Sequence, residues 1–118
     1  MIEKTDRELI ELAAKAAGLK ITRYTASGVP LVNIGNIPCP WDPLTNDGDA
    51  LRLAVLLKME VRIFNGSSCA EPSDGNKVWL DGDCPFKTTR RVIVQAAAVS
   101  PIFALNQSAG KLKRAMGK

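Results

Sequence analysis

The chain has 118 residues, which fits one domain, and a hydrophobic content of 46% supports a real core, an aliphatic one because aromatics make up only 5%. Lys and Arg number 16 against 12 Asp and Glu, a net charge of +4, and there is no histidine. Without histidine no Ser-His or Cys-His nucleophile system can be built and the commonest general base is missing, so the chain reads as non-enzymatic.

The segment Met1 to Lys15 is charged throughout and does not read as a secretory signal. No apolar run approaches the roughly 20 residues of a membrane span, so a cytoplasmic location is expected. Thr5-Asp6-Arg7-Glu8 has the form of a capping box, and Leu9, Leu12, Ala13, Ala16 and Ala17 recur at helical spacing. A helix over 6–17 is predicted, closed by Gly18 as a left-handed cap with Leu19 packing back on the last turn. Ile21 to Thr25 alternates and is rich in β-branched residues, as a half-buried strand should be. Ala26-Ser27-Gly28 turns the chain, and Val29 to Ile34 returns as a second strand that Pro30 confines to an edge or a strand start.

Gly35 to Pro43 holds Pro38, Pro40 and Pro43 and reads as a loop. Thr45-Asn46-Asp47-Gly48-Asp49 is a dense helix-start signal, with both carboxylates where the helix dipole favours them. The stretch from Ala50 to Met59 is apolar on most sides, which predicts a largely buried helix. Val61 to Phe64 reads as a third strand, 65–68 and 71–76 as turns or loops, and Lys77 to Leu80 as a fourth strand. A third helix is expected from a cap at Thr88 or Thr89 through Ala98, stopping near Ser100 because Pro101 disfavours helical geometry before it. Ile102 to Met116 is a candidate fourth helix, weakened by Gly110, with a fraying end.

The order is αββαββα. It predicts an α+β domain over residues 1–100, with a four-stranded antiparallel sheet covered by helices, and a basic helical or flexible tail over 101–118. Cys39, Cys69 and Cys84 are odd in number, widely spaced and free of any Cys-x-x-Cys, so free thiols are expected rather than a zinc site or a disulfide framework. Charge is unevenly placed: all 12 acidic residues lie at or before Asp83, and the seven basic residues beyond it face no acid in sequence.

The stretch Trp41-Asp42-Pro43-Leu44-Thr45-Asn46-Asp47-Gly48-Asp49-Ala50 resembles the pattern Trp-x-Pro-x-x-x-x-x-Asp-Ala of the phage ABA-sandwich domain family. The resemblance continues through a helix ending at Lys58-Met59, two strands and a Thr-rich approach to an Ala-rich helix, and spans about residues 5 to 100. It implies a sheet covered by helices and a phage or prophage origin, and it implies no activity. The residues beyond Pro101 have no counterpart in that pattern.

The candidate ligand-binding residues are Trp41, as a stacking surface, Asp47 and Asp49, as hydrogen-bond acceptors, and Arg90 and Arg91, which sit against the dipole of the third helix and so invite a partner; the alternative for the motif is structural, with Trp41 covering the sheet edge or the core and the two aspartates serving the amides of the helix start. The two arginines pair internally with Asp81, Asp83 or Asp47, hold an anion, or stand as solvated charges. Asp81-Gly82-Asp83 lacks the offsets of a calcium loop and reads as a solvated turn, so no metal and no cofactor are expected. The expectation is an accessory protein that binds a host protein or a small anionic ligand, by analogy one that counters a host defence. Two alternatives stand beside it: nucleic-acid binding through Lys111, Lys113, Arg114 and Lys118, and a structural subunit of a homo-oligomer.

Overall fold

A computed structural model describes residues 5–34, 36–73 and 76–99. Within them the chain forms α1 (Asp6–Ala16), β1 (Ile21–Tyr24), β2 (Pro30–Ile34), β3 (Ile37–Pro40), α2 (Asp47–Leu56), β4 (Glu60–Phe64), β5 (Ser67–Glu71), β6 (Val78–Asp81) and α3 (Pro85–Ala98). The α+β class holds, but the strands build two three-stranded antiparallel sheets, β1-β2-β3 and β4-β5-β6, instead of one four-stranded sheet. The order is αβββαβββα: each expected αββ unit carries one strand more than its sequence announces. The predicted tail over 101–118, with Lys111, Lys113, Arg114 and Lys118, lies outside the described residues.

The two extra strands have different physical origins. In β3 the prolines are the disguise. Pairing runs Leu31 to Pro40, Val32 to Cys39 and Asn33 to Pro38, and the Trp41 amide donates to the Pro30 carbonyl at 2.9 Å. Antiparallel ladders bond every second pair, so Pro38 and Pro40 fall on the positions whose missing N–H would have faced away from β2. β3 is an edge strand, and there a proline costs no ladder bond. In β5 the disguise is small polar side chains. Ser68, Cys69 and Ala70 are essentially buried because β5 is the middle strand; α3 lies across the face that carries Ser68 and Ala70, and Cys69 is on the other face. Small residues let the helix approach, and the Ser68 hydroxyl is satisfied by the Thr89 hydroxyl at 2.9 Å.

α1 begins as its sequence predicts. Thr5 accepts from the Glu8 amide at 3.1 Å and its own amide donates to the Glu8 carboxylate at 2.8 Å, a complete capping box. Its end is a Schellman motif: Leu19 N–H reaches Ala14 C=O at 2.8 Å, Gly18 N–H reaches Lys15 C=O at 3.1 Å, and Gly18 takes φ +76°. α2 ends by the same two bonds, Met59 to Ala54 at 2.9 Å and Lys58 to Val55 at 3.1 Å, but the left-handed position is held by Lys58 at φ +52°. α3 starts at Pro85, three residues before the expected cap, because proline at the first helical position has no amide to leave unpaired. Arg90 and Arg91 therefore sit in the second turn, and the predicted opposition to the dipole largely disappears.

α3 is the hub. It packs on β4, β5 and β6 on one side and on α1 and α2 on others, and Val92, Val94, Ala96 and Ala97 are fully buried. Alanines on both α1 (Ala13, Ala14, Ala16) and α3 are buried in the common core, which brings these two helices close. Leu53 anchors α2 with no exposed surface, a burial worth about 2 kcal/mol. Tyr24 ties β1 to α1: its hydroxyl donates to Glu11, and the Arg7 guanidinium lies 4.0 Å over its ring. Burial, then the bond to Glu11, holds the Tyr24 pKa above its ordinary 10.0. No helix among the described residues is long and apolar enough to cross a membrane.

Candidate functional site

Of the five predicted ligand-binding residues, Asp47 and Arg90 are brought together, while Trp41, Asp49 and Arg91 have other partners or surroundings. Trp41 is 4% exposed and belongs to the core, so its ring offers no open stacking face. At the start of α2 the cap is Asn46, whose side chain accepts from the Asp49 amide at 2.8 Å. Asp49 instead turns back to accept from the Asp42 amide at 2.9 Å, closing the approach loop onto the helix. Asp47 accepts from Arg90 Nη1 at 2.6 Å, while Arg90 Nε donates to the Leu44 carbonyl at 2.9 Å. Arg91 donates to Asp6 at 3.0 Å and so links α3 to α1. Both guanidiniums thus have internal partners, Arg90 as one of the sequence alternatives had it and Arg91 with an acid not foreseen. Among the described residues no group of three or more Cys, Asp or Glu side chains is placed to hold a metal ion, and Cys39, Cys69 and Cys84 are free thiols.

What the structure assembles is apolar. A groove of about 520 Å³ lies between α2, β4 and α3. α2 supplies Leu51 and Ala54, β4 supplies Val61 and Ile63, and α3 supplies Phe86 and Ile93, with the Asp47–Arg90 pair at the rim. Leu51 is 64% exposed, Ile63 60% and Phe86 66%. The prediction that α2 is largely buried is corrected here: Ala50, Leu53 and Ala54 face the core, while Leu51, Val55 and Leu56 face outward. Contiguous exposed apolar surface of this kind is uncommon away from interaction sites.

The groove runs beside β4, an edge of its sheet among the described residues, and the hairpin fixes what that edge presents. Phe64 pairs with Ser67 across the two-residue turn Asn65-Gly66. The pair flanking such a turn exchanges both backbone bonds, so Arg62 with Cys69 and Glu60 with Glu71 are the other bonded pairs. The N–H and C=O groups of Val61 and Ile63 then point away from β5. The same alternation puts their side chains on the face of Ser68, the face turned to α3. On the opposite face Phe64 stacks on Trp79 with centroids 5.7 Å apart, over the buried Cys69.

Sequence reading missed Leu51, Ile63 and Phe86 as candidates. The signal was present in part: Val61-Arg62-Ile63-Phe64 alternates, and a helix apolar on most sides in so small a chain has more apolar surface than one core can cover. No family model, curated protein or solved structure matches the chain.

Proposed function

We propose that this chain is a non-catalytic binding protein whose docking surface is the groove between α2, β4 and α3, and that what docks is polypeptide. The observation that carries the reading is the coincidence of two features in one place. Leu51, Ile63 and Phe86 expose apolar surface, and on the adjacent strand the backbone groups of Val61 and Ile63 point away from β5 and meet no other strand among the described residues. Apolar surface alone accepts many ligands; an open strand edge beside it selects an extended peptide, whose backbone completes the ladder while alternate side chains enter the groove. The anionic-ligand reading is weakened by the internal bonds of Arg90 and Arg91. An accessory protein that binds a host polypeptide fits this surface, and the resemblance of the Trp41–Ala50 stretch, which implies a phage or prophage origin and no activity, is compatible with it.

A random-peptide display library panned on the wild-type chain tests the reading. Enriched peptides are expected to alternate apolar and polar residues, and to bind the Leu51→Glu and Ile63→Lys variants at least about tenfold more weakly, a loss of roughly 1.4 kcal/mol. Peptides that bind these variants as well as the wild type, or no enrichment, would contradict it.

A further inference from the structure

The same strand that lines the groove also has the properties of the segment that would fill it. We infer that a second copy of this chain occupies the groove, by antiparallel pairing of β4 with β4 of the other copy about a twofold axis at Arg62; the inference rests on the groove being the binding surface. A twofold interface must be self-complementary, each patch serving as donor and acceptor at once. β4 meets that condition. Its outward backbone groups are at Val61 and Ile63, symmetric about Arg62. Antiparallel pairing sets Val61 of one copy opposite Ile63 of the other, twice, with both exchanging backbone bonds. The β-branched side chains of the incoming strand lie on the groove face, where Leu51 and Phe86 stand exposed.

Charge on the other face is balanced. Arg62 would meet Arg62 of the second copy directly, an unfavourable pair taken alone. Each Arg62 already binds its own Glu60, through Nε at 3.1 Å and Nη2 at 2.9 Å. Pairing about Arg62 also brings Glu60 of the second copy to the diagonal position, within reach of a long side chain. Two arginines and two glutamates then alternate. The other edges are less suited. β3 carries Pro38 and Pro40, β1 has a register shift between Ile21 and Arg23, and β6 has four residues ending in Asp81. Prolines, irregularities and short charged strands are the usual means of keeping edges single; β4 has five residues and no proline.

Sedimentation of the full chain from micromolar to millimolar concentration reads the result. The expected outcome is a concentration-dependent shift from the 12.7 kDa monomer to twice that mass. Ile63→Pro is the diagnostic variant. The Ile63 amide does not bond to β5, so the substitution leaves the hairpin ladder intact and removes a bond only from the dimer. It should sediment as a monomer with an unchanged circular dichroism spectrum. Ile63→Lys, which keeps the backbone donor and buries a charge in the interface, should also be monomeric, whereas Trp79→Ala on the opposite face should remain dimeric. A wild-type chain that stays monomeric throughout, or a folded Ile63→Lys variant that still dimerises, would overturn the inference. Peptides from the display library that bind a monomeric chain at the groove would sink the second copy as occupant and leave the docking surface standing.

Discussion

Gly82 sits where β6 passes into α3, and its lack of a side chain is a packing requirement that can be measured. A Cβ placed there would lie 2.2 Å from Thr88 Oγ1, with Thr88 Cβ and Cγ2 at 3.4 and 3.5 Å. Gly82 does not have a positive φ, so alanine is acceptable to the backbone and any cost must come from that contact. Thr88 cannot yield easily. It is 6% exposed, it sits in the first turn of α3, and its amide bonds to the Cys84 carbonyl at 2.9 Å. Rotating its side chain exchanges the hydroxyl for a methyl group or forces a strained rotamer. Nor can the loop retreat freely, because the Gly82 amide is bonded to the Gly66 carbonyl at 3.0 Å. Overpacking of this kind costs about 2 kcal/mol. For a domain of this size that lowers Tm by roughly 8 to 16 °C. The assay is a double-mutant cycle in urea: Gly82→Ala, Thr88→Ala and both together. The cost of Gly82→Ala should fall to near zero in the Thr88→Ala background, a coupling of about 2 kcal/mol. An equal cost in both backgrounds would refute the contact as the cause.

Other expectations follow from single residues. Lys58→Gly should stabilise the fold by about 0.5 to 1 kcal/mol in chemical denaturation, because a non-glycine residue in the left-handed region carries strain of about 1 to 2 kcal/mol and glycine returns part of it as chain entropy. Asn46→Ala should cost about 1 kcal/mol by removing the cap of α2, with the loss visible in the thermal midpoint. Leu51→Glu should leave stability nearly unchanged, since Leu51 is 64% exposed, while abolishing groove binding; a large loss of stability would place Leu51 in the core. Tyr24 is the chain's single tyrosine, so its ultraviolet absorbance titrates it directly. Its folded pKa is raised, so its contribution to stability is complete below the ordinary value of 10.0 and is lost as pH climbs through the folded value. Glu11→Ala should lower that midpoint, since the bond to Glu11 is the second cause of the rise after burial.

The parts of the fold legible in the sequence are those fixed by neighbours in the chain. The Thr5–Glu8 box, the Gly18 cap and the entry to α2 each involve residues within a few positions, and the first hairpin follows from the alternation flanking Gly28. β3 and β5 were hidden because each depends on a distant surface. Pro38 and Pro40 are compatible with a strand only at an edge, and the run Ser67 to Ala70 is compatible with a strand only under a helix. The Asn65-Gly66 dipeptide was the available clue to β5, since it is a strong hairpin signal between extended segments. With β5 unread, β4 and β6 looked like neighbours and one sheet looked sufficient. The groove escaped for the same reason: hydrophobicity announces that Leu51 and Leu53 are both apolar, and only the position of α3 decides that one faces the core and the other faces solvent.

The claim that the groove between α2, β4 and α3 is this protein's binding surface is tested most directly by residue-resolved amide spectra. The isotope-labelled chain would be titrated with a library-selected peptide, or simply concentrated. Shift changes and slowed amide exchange are expected at Val61 and Ile63, with neighbouring changes at Leu51 and Phe86. Changes centred instead on Phe64 and Trp79, or on Arg91 and Asp6, would contradict it.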